Sequence, residues 1–229
     1  MKVSIIIPVY NESRTFTQVL DRVRSAQLPP GTTREIVVVD DGSTDGTSDL
    51  LSSCRDTGVV VHHSVLNFGK GTAIRIGLEK ATGDIILIQD GDLEYDPNDY
   101  AEIVKPLLEG QADVVYGSRF LGQNPGMAPL NWIANKILTV TANLLYSASI
   151  TDEATAYKAF QSSVLRRMKL NCRRFEFCPE VTAKVRKRGI KIMEVPIRYV
   201  ARDAAQGKKI RWTDAFVAMW TLLKYRFAG

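Results

Sequence analysis

The sequence predicts an α/β protein whose central sheet is mostly parallel, with helices on both faces. Three observations predict it. Strand-like and helix-like patterns alternate through the first half of the 229 residues, the mark of a wrapped parallel sheet. The strand runs IIIPV, IVVV and IILI are almost continuously apolar and branched, as strands covered on both sides are. Polar clusters follow three of these runs: Tyr10-Asn11-Glu12, Asp40-Asp41 and Asp90-Gly91-Asp92. Ligands of open α/β sheets bind beyond the carboxyl ends of the strands.

Residues 3–7 form a short β-branched run ended by Pro8. Over 12–26, Phe16, Val19, Leu20 and Val23 recur at helical spacing. A second strand over 35–39 stops at Asp40-Asp41-Gly42-Ser43, and Asp45 is placed to cap a helix with Leu50 and Leu51 on its inner face. A strand over 59–62, a helix over 71–81 and a strand over 84–88 follow. The second half is less regular. It reads as helices over 99–108, 131–146, 179–188 and 212–227, with strands over 113–116 and over 191–195, the latter closed by Pro196.

Composition bounds the function. With 45% hydrophobic and 24% charged residues, the chain is neither disordered nor fibrous. Cys54, Cys172 and Cys178 are too few and too irregular for a disulfide framework or a zinc site, which fits a reducing compartment. The N-terminal apolar run is interrupted too soon for a signal peptide, and no run of about 18 apolar residues offers a membrane span. The expected location is the cytoplasm. The net charge of +5 is unevenly spread: residues 1–157 carry 12 Lys/Arg against 20 Asp/Glu, and residues 158–229 carry 18 against 5. An acidic part suited to a divalent cation precedes a basic part suited to phosphates, nucleic acid or an anionic membrane surface.

In Asp90-Gly91-Asp92, alternation puts the two carboxylates on one side of an extended chain. They can share a hard cation, Mg²⁺ or Mn²⁺, with phosphate oxygens completing its shell. Glu94 is a candidate third ligand, and a plain polar turn is the alternative. Asp40 and Asp41 can accept from a base or ribose, or simply shape a turn and a cap. Asn67-Phe68-Gly69-Lys70-Gly71 opens a helix whose glycines and N–H groups can approach a diphosphate, although GxxxxGK[ST] spacing is absent. His62 and His63 have no ligand-like spacing and read as structural. Arg202 and Gly207-Lys208-Lys209 form a basic loop.

Taken in order, IIIPVYNE, VVVDDGSTDGT, NFGKGTAIRIGLEKATGDIILIQDGDLEYDP, YGSRF and EVPIRYVARDAAQGKKI resemble family-2 glycosyltransferases, in particular the dolichyl/polyprenyl-phosphate sugar transferase branch. The resemblance covers almost the whole chain. It implies a GT-A (Rossmann-like) fold and a single catalytic domain over 1–229. Residues 1–125 would bind nucleotide-sugar and metal; 126–229 would carry the acceptor part and the basic C-terminal loop and helix. It implies an inverting transfer from a UDP- or GDP-sugar with a divalent metal. Pro8, Tyr10 and Glu12 would line the nucleotide pocket, with Asp40 on the base or ribose side. Lys70 belongs to the donor side. Asp90, Asp92 and Glu94 would form the metal site, where Glu94 replaces the usual Gln and adds negative charge. Arg119 would bind acceptor phosphate, Arg202 and Lys208 would close over the diphosphate, and Asp152 stands where relatives place a catalytic aspartate. Glu180 is a second choice for the base, with a surface position the simpler reading.

The implied acceptor is polyprenyl phosphate, with a soluble hydroxyl acceptor as the alternative. Membrane-anchored relatives continue into transmembrane helices, which the present residues lack. Trp132, Ile133, Ile137, Leu138, Leu144 and Leu145 stripe one helix, and Phe216, Met219, Trp220, Leu223 and Phe227 another. Flanked by cations, such faces suit peripheral membrane contact; packing in the core or against a second copy, as a homodimer, is the other reading. A sugar-phosphate nucleotidyltransferase would need a Gly-rich, arginine-bearing loop where Pro8-Val9-Tyr10-Asn11-Glu12 stands. A non-catalytic nucleotide-binding protein would not need Asp90, Asp92 and Arg202. The basic stretches lack the interleaved aromatics of single-strand nucleic-acid binders, so no nucleic-acid partner is expected.

Overall fold

The structure, a computed structural model, describes residues 1–53, 58–122, 127–202 and 212–228. One seven-stranded sheet organises it. Its strands are β1 (Lys2–Val9), β2 (Thr33–Asp40), β3 (Val59–His63), β4 (Ile85–Ile88), β5 (Val114–Ser118), β6 (Lys158–Gln161) and β7 (Met193–Pro196), in the order β3-β2-β1-β4-β6-β5-β7. β1, β2, β3 and β4 are parallel, and β5 is parallel to β7. β6 is antiparallel to both its neighbours. The chain winds outward from β1 through β2 to β3, then returns to place β4 on the other side of β1. That reversal opens a crevice at the carboxyl ends of β1 and β4, the position where such sheets bind ligands.

Eight helices complete the described chain: α1 (Phe16–Ser25), α2 (Thr47–Ser53), α3 (Lys70–Lys80), α4 (Tyr100–Leu108), α5 (Pro129–Tyr146), α6 (Ser162–Arg166), α7 (Phe177–Lys187) and α8 (Trp212–Phe227). The period-2 geometry of β1 divides the core. Ile5, Ile7 and Val9 face α1 and α4 through Phe16, Val19, Leu20, Ile103 and Val104. Ile6 faces the opposite layer, with Ile74 of α3 and Phe177, Val181 and Val185 of α7. Each of these aliphatic side chains contributes about 1.5–3 kcal/mol by leaving water. A third cluster holds α5, α7 and α8 together through Leu138, Ala142, Tyr146, Ala183, Leu222 and Tyr225.

Several expectations need correction. The first helix begins at Phe16, not residue 12, because Glu12 turns back to accept the N–H groups of Thr15 and Phe16 on its carbonyl. Leu51 is buried, but Leu50 is exposed, since α2 buries one face, Thr47 and Leu51 four residues apart, and Leu50 points away from it. β6 and α6 escaped the sequence reading: β6 is four residues, KAFQ, with no alternation. Pro196 closes β7 as expected, as its last residue; β7 is an edge strand, where proline costs no ladder bond, and it starts at Met193, not residue 191. Glu180 is fully buried, not on the surface. It accepts from the Asn171 N–H at 2.7 Å and the Tyr225 hydroxyl at 2.9 Å, and pairs with Lys184, which ties α7 to α8.

Candidate active site

The end of β1 and the loop after β4 lie against each other. A Cβ on Gly91 would stand 3.0 Å from the Pro8 carbonyl oxygen, so glycine here lets the two strand ends close up. That approach brings Asp90 and Asp92 beside the turn that carries Tyr10 and Glu12. Asn11 takes a left-handed φ of 49° in this turn and locks it to the 43–47 loop. The Asn11 N–H donates to Ser43 Oγ at 2.9 Å, and Asn11 Oδ1 accepts the Thr44 N–H at 2.8 Å.

Four carboxylates and two cations meet in the crevice. Lys70, the first residue of α3, pairs with Asp90. The guanidinium of Arg202 reaches Asp92 at 2.5 Å, Glu12 at 3.3 Å and Glu94 at 3.8 Å. With all four carboxylates ionised, Glu12, Asp90, Asp92 and Glu94 against Lys70 and Arg202 leave a formal surplus of two negative charges. Burial first, then the carboxylates of Asp90 and Glu94, push the Asp92 carboxyl up to about 7 against the pull of Arg202. Burial lowers the Arg202 guanidinium, but Asp92, Glu12 and Glu94 outweigh it and raise it. A surplus of two negative charges, carried on hard oxygen donors, fits a small divalent cation bridged to phosphates.

Asp90 and Asp92 fit that role, and Glu94, the expected third ligand, stands beside them against Arg202. Among the described residues no three His, Cys, Asp or Glu side chains converge as a metal group. The Asp92 and Glu94 carboxylates both already accept hydrogen bonds: Asp92 Oδ1 from the Glu94 N–H at 3.0 Å and Oδ2 from Arg202, and Glu94 Oε1 from the Arg202 N–H at 2.8 Å and Oε2 from the Tyr199 hydroxyl at 3.1 Å. Glu94 anchors the segment leading to Arg202. Lys208 and its neighbours Gly207 and Lys209 lie outside the described residues.

Asp40 and Asp41 are turned inward. Asp40 is buried, accepting from the Ser43 N–H at 3.0 Å, the Ser48 hydroxyl and His63 Nδ1 at 3.1 Å. Burial would raise its carboxyl, yet these bonds hold it below its ordinary value. Asp41 accepts the N–H groups of Phe68 and Gly69 at 2.9 and 2.7 Å. The amides opening α3 are equally spent: those of Gly71 and Thr72 donate to the carbonyls of Arg174 and Arg173, both at 2.9 Å. A Cβ at Gly69 or Gly71 would lie 2.5 or 2.9 Å from those carbonyl oxygens. These glycines therefore admit the 172–174 backbone, and the expectation that the loop cradles a diphosphate is corrected. Of that motif, Lys70 alone points to the carboxylate crevice.

On the other side of the sheet's switch, β5 runs through Gly117 and Ser118 and delivers Arg119 to its carboxyl end. Asp152 meets it completely: Oδ2 accepts Arg119 N–H at 3.0 Å and Nε–H at 2.8 Å, and Oδ1 accepts Nη2–H at 2.8 Å. Both side chains are buried. Burial raises the Asp152 carboxyl, but Arg119 pulls it below its usual range. Arg119 Cζ lies 5.1 Å from the Tyr199 ring centroid and 6.0 Å from that of Phe120. Phe120 in turn meets Trp132 edge-on at 6.3 Å and carries Lys136 Nζ 3.6 Å over its ring. From there α5 leaves Leu130, Trp132, Ile133, Ile137, Val140 and Leu144 exposed, while Leu138 is buried; α8 leaves Phe216, Trp220, Leu223 and Phe227 exposed. Both faces are thus split between core and surface. Among the described residues no helix is long and apolar enough to cross a membrane.

The sequence reading missed Tyr199, which touches both Glu94 and Arg119, and Glu194, which holds the Asp152 turn. A charged residue inside the short strand Met-Glu-Val-Pro is the one signal that pointed to Glu194.

Residues 4–168 match the profile of Glycosyl transferase family 2. This chain belongs to that family. The glycosyltransferase is 31% identical over 222 residues to an undecaprenyl-phosphate mannosyltransferase of Micrococcus luteus, covering 91% of this chain and 87% of the relative. It is 33% identical over 202 residues to the glycosyltransferase AglJ of Haloferax volcanii, covering 87% of this chain but only 63% of that longer relative. The fold is GT-A. It matches glucosyl-3-phosphoglycerate synthase of Mycobacterium tuberculosis, solved with UDP, at a TM-score of 0.75 and 18% identity over 100% of this chain and 81% of that one. The same enzyme has also been solved with Mn²⁺, UDP and phosphoglyceric acid; that structure matches at a TM-score of 0.73 and 19% identity over 98% of this chain and 78% of that one.

Proposed function

We propose that this glycosyltransferase moves a sugar, with inversion, from a UDP- or GDP-sugar to a polyprenyl phosphate at the cytoplasmic face of a membrane. Residues 1–125 would handle the donor and residues 126–229 the acceptor. The observation that carries the acceptor half is the unbroken path from Arg119 through Phe120 to Trp132, Lys136 and the exposed faces of α5 and α8. A cation at one end and bare hydrocarbon at the other suit an amphiphile. Its phosphate would meet the Arg119 guanidinium through N–H groups other than the two held by Asp152, and its chain would lie with the helices in the membrane interface. The name of the Micrococcus luteus relative supports the same acceptor class.

The chemistry of the residues agrees. Inverting transfer is an in-line displacement in which the departing diphosphate gains charge. A divalent cation, Mg²⁺ or Mn²⁺, held by Asp90 and Asp92 would supply Lewis-acid neutralisation of that charge. Lys70 and Arg202 stand beside those carboxylates, and Arg202 is held by Glu12 and Glu94 where a diphosphate can exchange for a carboxylate partner. Pro8 and Tyr10 flank the crevice. On the acceptor side, Asp152 has both oxygens on Arg119, so it is poorly placed to take a proton. A phosphate acceptor is already ionised at neutral pH and asks for positioning, not a base; a hydroxyl acceptor would ask for one.

Two measurements test the reading together: co-sedimentation with anionic liposomes at low and high salt, and transfer from UDP- and GDP-sugars to a short polyprenyl phosphate. Expected are transfer to the lipid and binding that weakens with salt as screening grows. Transfer to a small hydroxyl acceptor, with no liposome binding, would install the soluble-acceptor reading. Dimerisation that covers Trp132 and Trp220 would assign the apolar faces to a second copy.

A further inference from the structure

Asp152 does not stand on a helix or a strand. It lies between α5 and β6, so its carboxylate is only as well aimed as the backbone of its own turn. Asn143 holds Ile150 and Thr139 holds the Glu153 N–H on either side, but the Thr151 and Asp152 amides themselves are both taken by one side chain. Glu194 Oε2 accepts the Thr151 N–H at 2.7 Å, and Oε1 accepts the Asp152 N–H at 3.0 Å. The turn is also tied by a 2.6 Å hydrogen bond between the hydroxyls of Thr151 and Ser118, the residue before Arg119. Glu194 sits on β7 opposite Tyr116 of β5, one strand away from the segment that delivers Arg119. Two consecutive N–H donors need two acceptor oxygens. A carboxylate supplies them; a glutamine offers one oxygen and sets its own N–H₂ against the other donor.

Resting on the reading that Arg119 receives the acceptor phosphate, we propose that Glu194 is a positioning residue: it fixes the Thr151–Asp152 turn so that Asp152 holds the Arg119 guanidinium in the orientation that meets the acceptor. The carboxylate of Glu194 bonds to the Thr151 and Asp152 amides, not to Arg119 or the carboxylate crevice; it acts through Asp152. The donor carboxylates, after β1 and after β4, stand on other elements, and Arg202, further along from β7, is anchored separately by Glu94. A defect at Glu194 therefore falls on the acceptor and spares the donor.

The experiment compares wild type, Glu194→Gln and Glu194→Asp by two readouts. The first is water exchange of the Arg119 Nε–H in proton–nitrogen spectra, assigned with Arg119→Lys; it needs no substrate. The second is KM for a short polyprenyl phosphate against the affinity for UDP with Mn²⁺. In Glu194→Gln the Nε–H should exchange about tenfold faster and the acceptor KM should rise about tenfold, the scale of one lost hydrogen bond to a charged group, with UDP affinity unchanged. Unchanged exchange and unchanged KM overturn the proposal, and so does an equal loss of UDP affinity, which would mean a general structural role. Should Glu194→Gln fail to fold, Glu194→Asp, whose shorter arm reaches the two amides less well, is read in the same way. If the wild type ignores polyprenyl phosphate, the acceptor reading falls, and the exchange measurement still decides the positioning claim on its own.

Discussion

Arg119 and Arg202 both meet carboxylates, and they are opposite kinds of site. Arg119 faces one partner, Asp152, through three hydrogen bonds, with both side chains buried. Charge is balanced and each oxygen is used. Arg202 faces three carboxylates, Glu12, Asp92 and Glu94, at distances from 2.5 to 3.8 Å, and Lys70 adds only one more cation against Asp90. Charge there is in deficit. A balanced buried pair is a fixture; a cluster with surplus negative charge is built to receive something positive. The difference separates two arrangements that a motif list runs together: Asp152 gives both oxygens to one buried arginine, whereas Asp92 shares Arg202 with two further carboxylates.

The sharpest way to break that contrast is to delete one carboxylate from each site. Asp152→Ala leaves Arg119 buried without its counter-ion and should cost about 3–5 kcal/mol in urea unfolding. Asp92→Ala leaves Arg202 with Glu12 and Glu94 and relieves repulsion, so unfolding should change by less than about 1 kcal/mol while transfer is lost. Equal destabilisation by the two would erase the distinction.

A smaller effect sharpens the carboxylate cluster itself. Asp90→Asn should raise the Mn²⁺ concentration needed for half-maximal transfer by about tenfold, the scale of one lost charged ligand. Glu94→Gln should leave that requirement within about twofold if Glu94 serves only to hold Tyr199 and the Arg202 N–H, since a glutamine oxygen can still accept. A large shift for Glu94→Gln in the Mn²⁺ titration would show it to be a ligand.

The smallest effect is confined to acid. Asp152 is depressed on folding by Arg119, in spite of burial. Its contribution to stability is therefore present above the unfolded carboxyl value of about 3.9 and is lost as pH falls through the folded value. Asp152→Asn should flatten the acid limb of the stability profile. In the neutral range the pair is intact, and the pH profile of transfer should show no ionisation that Asp152→Asn removes.

Much of the first half was legible in the sequence because its information is local. The runs around Ile5, Val37 and Ile86 are apolar on both faces, so each announces a buried strand, and Asp90 and Asp92 sit where such a strand must end. The polar residues resisted that logic. Asp40, Asp41 and the Asn67–Gly71 loop have the composition of a ligand cradle, yet their donors and acceptors are matched to one another and to Arg173 and Arg174, far away in sequence. Glu180 looked like a surface residue because its partners, Asn171 and Tyr225, come from other elements.

What the sequence determined by itself, then, is the alternation of strand and helix, the side of the sheet each apolar residue takes, and the strand ends at which carboxylates gather. These follow from backbone periodicity and the burial of apolar surface, which neighbouring residues dictate. Only the tertiary structure decided which carboxylates are already satisfied. Whether Asp152 is a base or a clamp, whether Glu94 is a ligand or an anchor, and what Glu194 grips depend on hydrogen bonds between residues up to 108 positions apart. A hydrogen bond acts over about 3 Å, and the chain reveals which groups come that close only when it has folded.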